Sequence, residues 1–174
     1  MKIEKNIKNQ SYRLAITALM LSLVMLGTML LRMPIPLTEG YIHLGDAMVF
    51  LSVLTLKRKD AALASGIGSA LADVLGGFAM WAPWTLVIKA SMAIVASSIL
   101  NTGKEKGARL RYITAMASAG ILLTAGYYIA ELIMYGNLLA ALIGIPWNIG
   151  QFAVGIVIAQ SVFRPIKRFK EQEH

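Results

Sequence analysis

Long apolar stretches alternate with short basic ones along this chain. Six stretches read as helices that cross a membrane: about 12–31, 42–56, 61–77, 83–100, 112–134 and 143–163. Such a helix needs about 20 mostly apolar residues, and the second stretch is the short one. The expected fold is therefore all-α. Residues 1–174 form one membrane domain, a bundle of six transmembrane helices.

The cations give this bundle an orientation. Lys2, Lys5, Lys8 and Arg13 precede the first stretch. Lys57, Arg58 and Lys59 separate the second and third. Lys104, Lys106, Arg109 and Arg111 separate the fourth and fifth, and Arg164, Lys167, Arg168 and Lys170 follow the sixth. The other connections hold Arg32 or no cation at all. Fifteen of the 17 Lys and Arg residues thus fall in every second connection. Basic loops stay in the cytoplasm, so both termini are expected inside. The same pattern accounts for the net charge of +8 without nucleic acid as a partner.

Composition agrees. The chain is 57% hydrophobic and 15% charged, where soluble domains are nearer half and a quarter. Without cysteine there is no disulfide or thiolate metal site. His43 and His174 form no metal-ligand cluster, so no metal is expected. "MKIEKNIKNQ" reads as a retained cytoplasmic tail, since no small-residue cleavage site follows it.

Polar groups gather at one end of this topology. His43, Asp46, Asp73, Lys89, Glu131, Trp147, Asn148 and Gln151 all fall in the outer halves of their helices. Tyr41, Trp81, Trp84, Tyr127 and Tyr128 follow the same geography. An interfacial aromatic belt would occupy both faces. The asymmetry points instead to an outward-facing pocket lined by rings and a few polar groups.

Individual residues carry two readings each. His43 and Asp46, three apart, are either a structural pair on one helical face or ligand contacts. Asp73 is read as structural, at a helix end or paired with Lys89 across two spans. Glu131 is either an interfacial carboxylate or a hydrogen-bond acceptor for ligand. "ASGIGSALADVLGG" places Ala64, Gly68 and Ala72 at helical spacing, with Gly66 and Ala70 beside them, and such rows pack helices closely in lipid. The stretch has no Walker pattern. Ser69 with His43 departs from an intramembrane serine protease in both motif and order, so no enzyme is expected.

The stretch "YIHLGDAMVFLSVL", followed by "GIGSALADVLGGFAMWAPWTLVIKASMAIVAS", resembles the substrate-binding S components of energy-coupling factor (ECF) vitamin transporters. The resemblance covers nearly the whole chain. Within that family it is similar to a subgroup associated with hydroxymethylpyrimidine or vitamin B6, near the riboflavin-type components. It implies a multi-pass protein of the bacterial plasma membrane that binds a vitamin outside. The first outer loop, about 32–41, would act as a lid. The protein would then topple in the membrane while attached to a transmembrane coupling subunit and two cytosolic ATPases, which hydrolyse the ATP. The chain itself would use no cofactor.

Carried over, the resemblance nominates Trp81, Trp84, Lys89, Tyr127, Glu131, Asn148 and Gln151 as ligand residues, supported by His43 and Asp46. Tyr41 and Trp147 join them from the outer-half aromatic set. Ser11, Ala15, Ala18 and Ser22 occupy the position of the small-residue face that docks the coupling subunit. The alternatives are a riboflavin-specific S component and a stand-alone secondary transporter, which would carry an inverted repeat. None is visible in the sequence.

Overall fold

The computed structural model describes residues 2–30, 32–34, 41–102 and 108–172, with side chains for 9–30, 32–34, 41–102 and 110–162. Six helices form: α1 (Lys2–Leu30), α2 (Gly45–Thr55), α3 (Arg58–Leu75), α4 (Ala82–Leu100), α5 (Ala108–Tyr135) and α6 (Leu138–Gln172). Each coincides with one apolar stretch of the sequence. An addition to the all-α expectation precedes α2. Strands β1 (Arg32–Pro34) and β2 (Tyr41–His43) pair antiparallel, with Arg32 opposite His43 and Pro34 opposite Tyr41. His43 therefore sits on a strand, and the helix begins only at Gly45.

Four helices are long and apolar enough to cross a membrane: Asn9–Leu30, Ala82–Leu100, Leu110–Tyr135 and Leu138–Val162. Helix α2 is apolar but has 11 residues, about 16 Å at 1.5 Å per residue. Helix α3 has 18 residues but carries charge at both ends, from Arg58, Lys59, Asp60 and Asp73. Much of the outward surface is apolar, including Leu14, Leu19, Leu26, Ile113, Ile121 and Val157. Such surface is stable against lipid and costly against water.

Helices α1, α3, α4, α5 and α6 pack in that order, and α2 lies mainly against α1, α3, α4 and α6. The central position explains its burial: Ala47, Val49, Phe50 and Val53 are shielded together with Val24, Met92, Met116 and Leu123 from the surrounding helices. Ser52 of α2 and Ser65 of α3 meet at 3.0 Å. In the N-terminal half of α1, Arg13 Nε and Nη2 donate to the two oxygens of Asp60, each at 2.9 Å. Asp60 lies in the first turn of α3, where a negative charge also complements the helix dipole. The small-residue row of α3 packs as expected, with Ala64 and Ala72 fully buried.

One close approach fixes where α2 can sit. A Cβ at Gly155 on α6 would lie 3.0 Å from Asp46 Cβ and 3.1 Å from the Ala47 nitrogen. Glycine thus lets α6 approach the first turn of α2 without displacing it, at the level of Asp46.

Candidate functional site

The site begins with the hairpin, because its strands carry polar side chains onto the ends of the helices. Arg32 of β1 turns back: Nε donates to Thr28 O, while Nη1 and Nη2 donate to Gly76 O and Ala72 O. These carbonyls end α1 and α3, so the guanidinium acts as a cationic cap for both. It also lies 4.8 Å from the Tyr41 ring centroid and 5.6 Å from that of Phe78. Arg32 thereby has a structural role. The remainder of the expected lid, residues 35–40, lies outside the described residues.

Two carboxylates anchor β2. The Tyr41 hydroxyl donates to Asp73 Oδ1. The His43 amide donates to Gln151 Oε1 at 2.9 Å, Gln151 Nε2 donates to Asp46 Oδ2 at 2.8 Å, and Lys89 Nζ donates to Asp46 Oδ1. Strand β2 is thus wired through α6 and α2 to α4. His43 Nδ1 accepts the Gly45 amide at 2.9 Å, which starts α2. The expected Asp73–Lys89 pair does not form. Lys89 turns to Asp46 because α2, at the centre, reaches it, and both side chains are fully buried.

Beside this network lies a small cavity. It is lined by Tyr41, His43, Asp73, Trp81, Thr85, Tyr127, Glu131, Asn148 and Gln151, and encloses about 20 Å³, room for about one water. Trp81 packs tilted on Tyr127, with centroids 5.9 Å apart, and Tyr127 OH donates to Thr85 Oγ1 at 3.3 Å. Three buried polar atoms of the lining have no hydrogen-bond partner: Asp73 Oδ2, Trp81 Nε1 and Glu131 Oε2. Glu131 reaches the cavity past α6 at Gly144, where a Cβ would stand 2.5 Å from Glu131 Oε2.

Seven of the residues singled out in the sequence converge here: Tyr41, His43, Trp81, Tyr127, Glu131, Asn148 and Gln151. Asp46 and Lys89 lie beneath them as an ion pair. Trp84 is half-buried against the apolar core. Trp147 is 40% exposed and lines an adjoining apolar cleft of about 760 Å³ with Arg32, Met33 and Ile42, which shares His43 and Gln151 with the cavity. Two lining residues went unselected. Thr85 lies four residues after Trp81 and four before Lys89, a face shared at helical spacing. Asp73 was assigned to structure and stands in the cavity wall.

A helical bundle with apolar outer faces and a polar, ring-lined cavity defines an integral membrane protein that binds a small molecule. Residues 8–168 match the family ECF-type riboflavin transporter, S component. The chain belongs to this family of multi-pass plasma-membrane transporter subunits and is not an enzyme. It is 27% identical over 165 residues to the thiamine precursor transporter HmpT of Lactococcus lactis subsp. cremoris (strain MG1363), covering 94% of this chain and 90% of that protein. It is 34% identical over 113 residues, 65% of this chain and 74% of the other, to an "uncharacterized protein in gap 3'region" of Pyrococcus woesei. The solved structure described as "Structure and mechanism of the S component of a bacterial ECF transporter" has the same fold. Its TM-score is 0.72 at 20% identity, over 92% of this chain and 98% of that one.

Proposed function

We propose that this chain captures a single-ring heteroaromatic vitamin precursor with high affinity. A hydroxymethylpyrimidine is the first choice and a B6 vitamer such as pyridoxine the second. The observation that carries this reading is the set of three unpartnered polar atoms, Asp73 Oδ2, Trp81 Nε1 and Glu131 Oε2, in the wall of one aromatic cavity. Leaving buried polar groups unpaired costs about 1–3 kcal/mol each, and a ligand that pairs them recovers it. A flat ring stacks on Trp81 or Tyr127, adding about 0.5–1.5 kcal/mol beyond burial. The thiamine precursor transporter similar over nearly the whole chain supports a ring of this size. Either ligand requires the Tyr41 hairpin to move, which suits a lid.

In this reading all six helices span the bilayer, both termini are cytoplasmic and the cavity faces outward. The ligand crosses when the protein topples against a transmembrane coupling subunit driven by two ATPases. ATP is therefore used by partners and not by this chain. Ser11, Ala15, Ala18 and Ser22 form one exposed face of α1, available to that coupling subunit.

Titrating the purified full chain with hydroxymethylpyrimidine, pyridoxine, thiamine and riboflavin, followed by thermal shift and native mass spectrometry, tests the proposal. A single-ring compound is expected to raise the melting temperature most and to appear as a bound mass. Riboflavin as the tightest ligand, or uptake in vesicles that continues without ATPase partners, would overturn it.

A further inference from the structure

A cleft of about 930 Å³ runs between α3 and α4, toward the end of the bundle away from the Tyr41 hairpin. Gly66 and Ala90 form its floor. A Cβ at Gly66 would lie 2.9 Å from Leu86 O and 3.0 Å from Ala90 Cβ, so the two helices touch there. Ile67, Leu86 and Ile94 are its exposed apolar walls. Arg58 and Lys59, both exposed, stand at one end. Arg58 reaches across from α3 to α4, where Nη1 donates to Ser98 Oγ at 3.4 Å. Among the described residues no carboxylate lines the cleft. Asp60, beside Lys59 in the chain, is buried and turned to Arg13 of α1. The cleft therefore joins an apolar furrow to two cations at one end.

We infer that this cleft holds an anionic glycerophospholipid, with an acyl chain along the furrow and the phosphate on Arg58 and Lys59. In the orientation proposed above these cations lie at the cytoplasmic surface, so the lipid comes from the inner leaflet. The length agrees. From Arg58 to Ile67 the helix climbs about 13 Å at 1.5 Å per residue, close to the half-thickness of a hydrocarbon core about 30 Å thick. The guanidinium takes phosphate oxygens with paired N–H donors, and the ammonium adds a point charge. A zwitterionic headgroup would bring a third cation to the same place, which an anionic one does not. Basic pockets between membrane helices hold anionic headgroups in this way. A second copy of the chain docked face to face would set its own Arg58 and Lys59 at the same level, where like charges repel. The lipid spans α3 and α4, the helices that carry Asp73 and Lys89 at their other ends.

The test uses the purified full chain without vitamin, so its outcome is independent of the vitamin reading. Native mass spectrometry compares retention of phosphatidylglycerol with that of phosphatidylcholine and phosphatidylethanolamine of the same acyl chains. The unaltered protein is expected to hold phosphatidylglycerol about tenfold more tightly than either. Arg58→Gln with Lys59→Gln should reduce that preference to about twofold or less. Both side chains are exposed, so the melting temperature without added lipid should stay within a few degrees of the parent. Lys57→Gln, on the same connection but lining a different cleft, should keep the preference. Glycerol 3-phosphate, a headgroup without a chain, should not displace the lipid. Equal retention of the three lipids by the unaltered protein overturns the inference, and this arm needs no variant to fold. An equal loss in Lys57→Gln overturns it in favour of diffuse attraction to a basic connection, and displacement by glycerol 3-phosphate overturns it in favour of a site for soluble phosphates.

Discussion

Asp46 on α2 and Lys89 on α4 form an ion pair in which both side chains are completely buried, 43 residues apart in the chain. The second carboxylate oxygen is taken by Gln151 of α6. Three helices therefore meet at one carboxylate, beside the candidate cavity. The pair braces helices that carry residues of the cavity wall.

Removing one member should be worse than removing both. Asp46→Leu or Lys89→Met alone strands a buried charge, expected to cost about 3–5 kcal/mol. The double variant should recover much of that loss. Thermal unfolding of the four proteins in detergent gives the coupling energy as a double-mutant cycle. Additive losses would mean that the two side chains act independently.

Gln151→Met should loosen the hairpin. It removes the acceptor of the His43 amide and one partner of Asp46, with an expected cost of about 2–4 kcal/mol for two buried bonds. Amide hydrogen exchange is the direct measurement: protection at His43 should fall, while the core of α5 around Leu123 keeps its own. Unchanged protection at His43 would remove Gln151 from the latch.

Tyr41 predicts a pH dependence. The hairpin lies outside the helical spans, and burial first, then the charge and hydrogen bond of Asp73, push the phenol above its usual 10.0 against an opposing effect of Arg32. A group with a raised pKa in the folded state stabilises fully below its unfolded value and loses that contribution as pH rises toward the folded one. Stability should be insensitive to Tyr41 up to about pH 9 and decline above about pH 10. Tyr41→Phe should flatten this alkaline decline and speed release of bound hydroxymethylpyrimidine in stopped-flow fluorescence.

Ser69→Ala should change little. The Ser69 hydroxyl is buried without a hydrogen-bond partner, so replacing it removes an unpaired polar group and should alter stability by less than about 1 kcal/mol, toward greater stability. Ligand affinity should be unaffected. A large loss of transport in this variant, measured in vesicles, would be unexpected for a transporter subunit.

The helices were legible because each carries a long apolar stretch that polar connections end. The cavity was legible because membrane depth is encoded by position along a span: Glu131, Asn148 and Gln151 had to share a level. Rotation about each helix axis was not encoded in this way. Depth alone made Asp73 and Lys89 plausible partners on consecutive helices, whereas the central seat of α2 gives Lys89 to Asp46. That seat includes a close approach of Gly155 to Asp46, which has no signal in the order of the chain. The hairpin was hidden by length, since each strand has three residues, although Pro34 and the Tyr41-Ile42-His43 alternation mark its arms.

The shortness of α2 has a consequence for the energetics of crossing. From Asp46 to Thr55 the helix covers nine steps, about 13 Å, against a hydrocarbon core about 30 Å thick. On the reading proposed above, a ligand seated just above Asp46 would stand inside the insulating layer and not at its surface. Toppling would then carry the ligand together with its seat, so the ligand would not cross the remaining hydrocarbon alone.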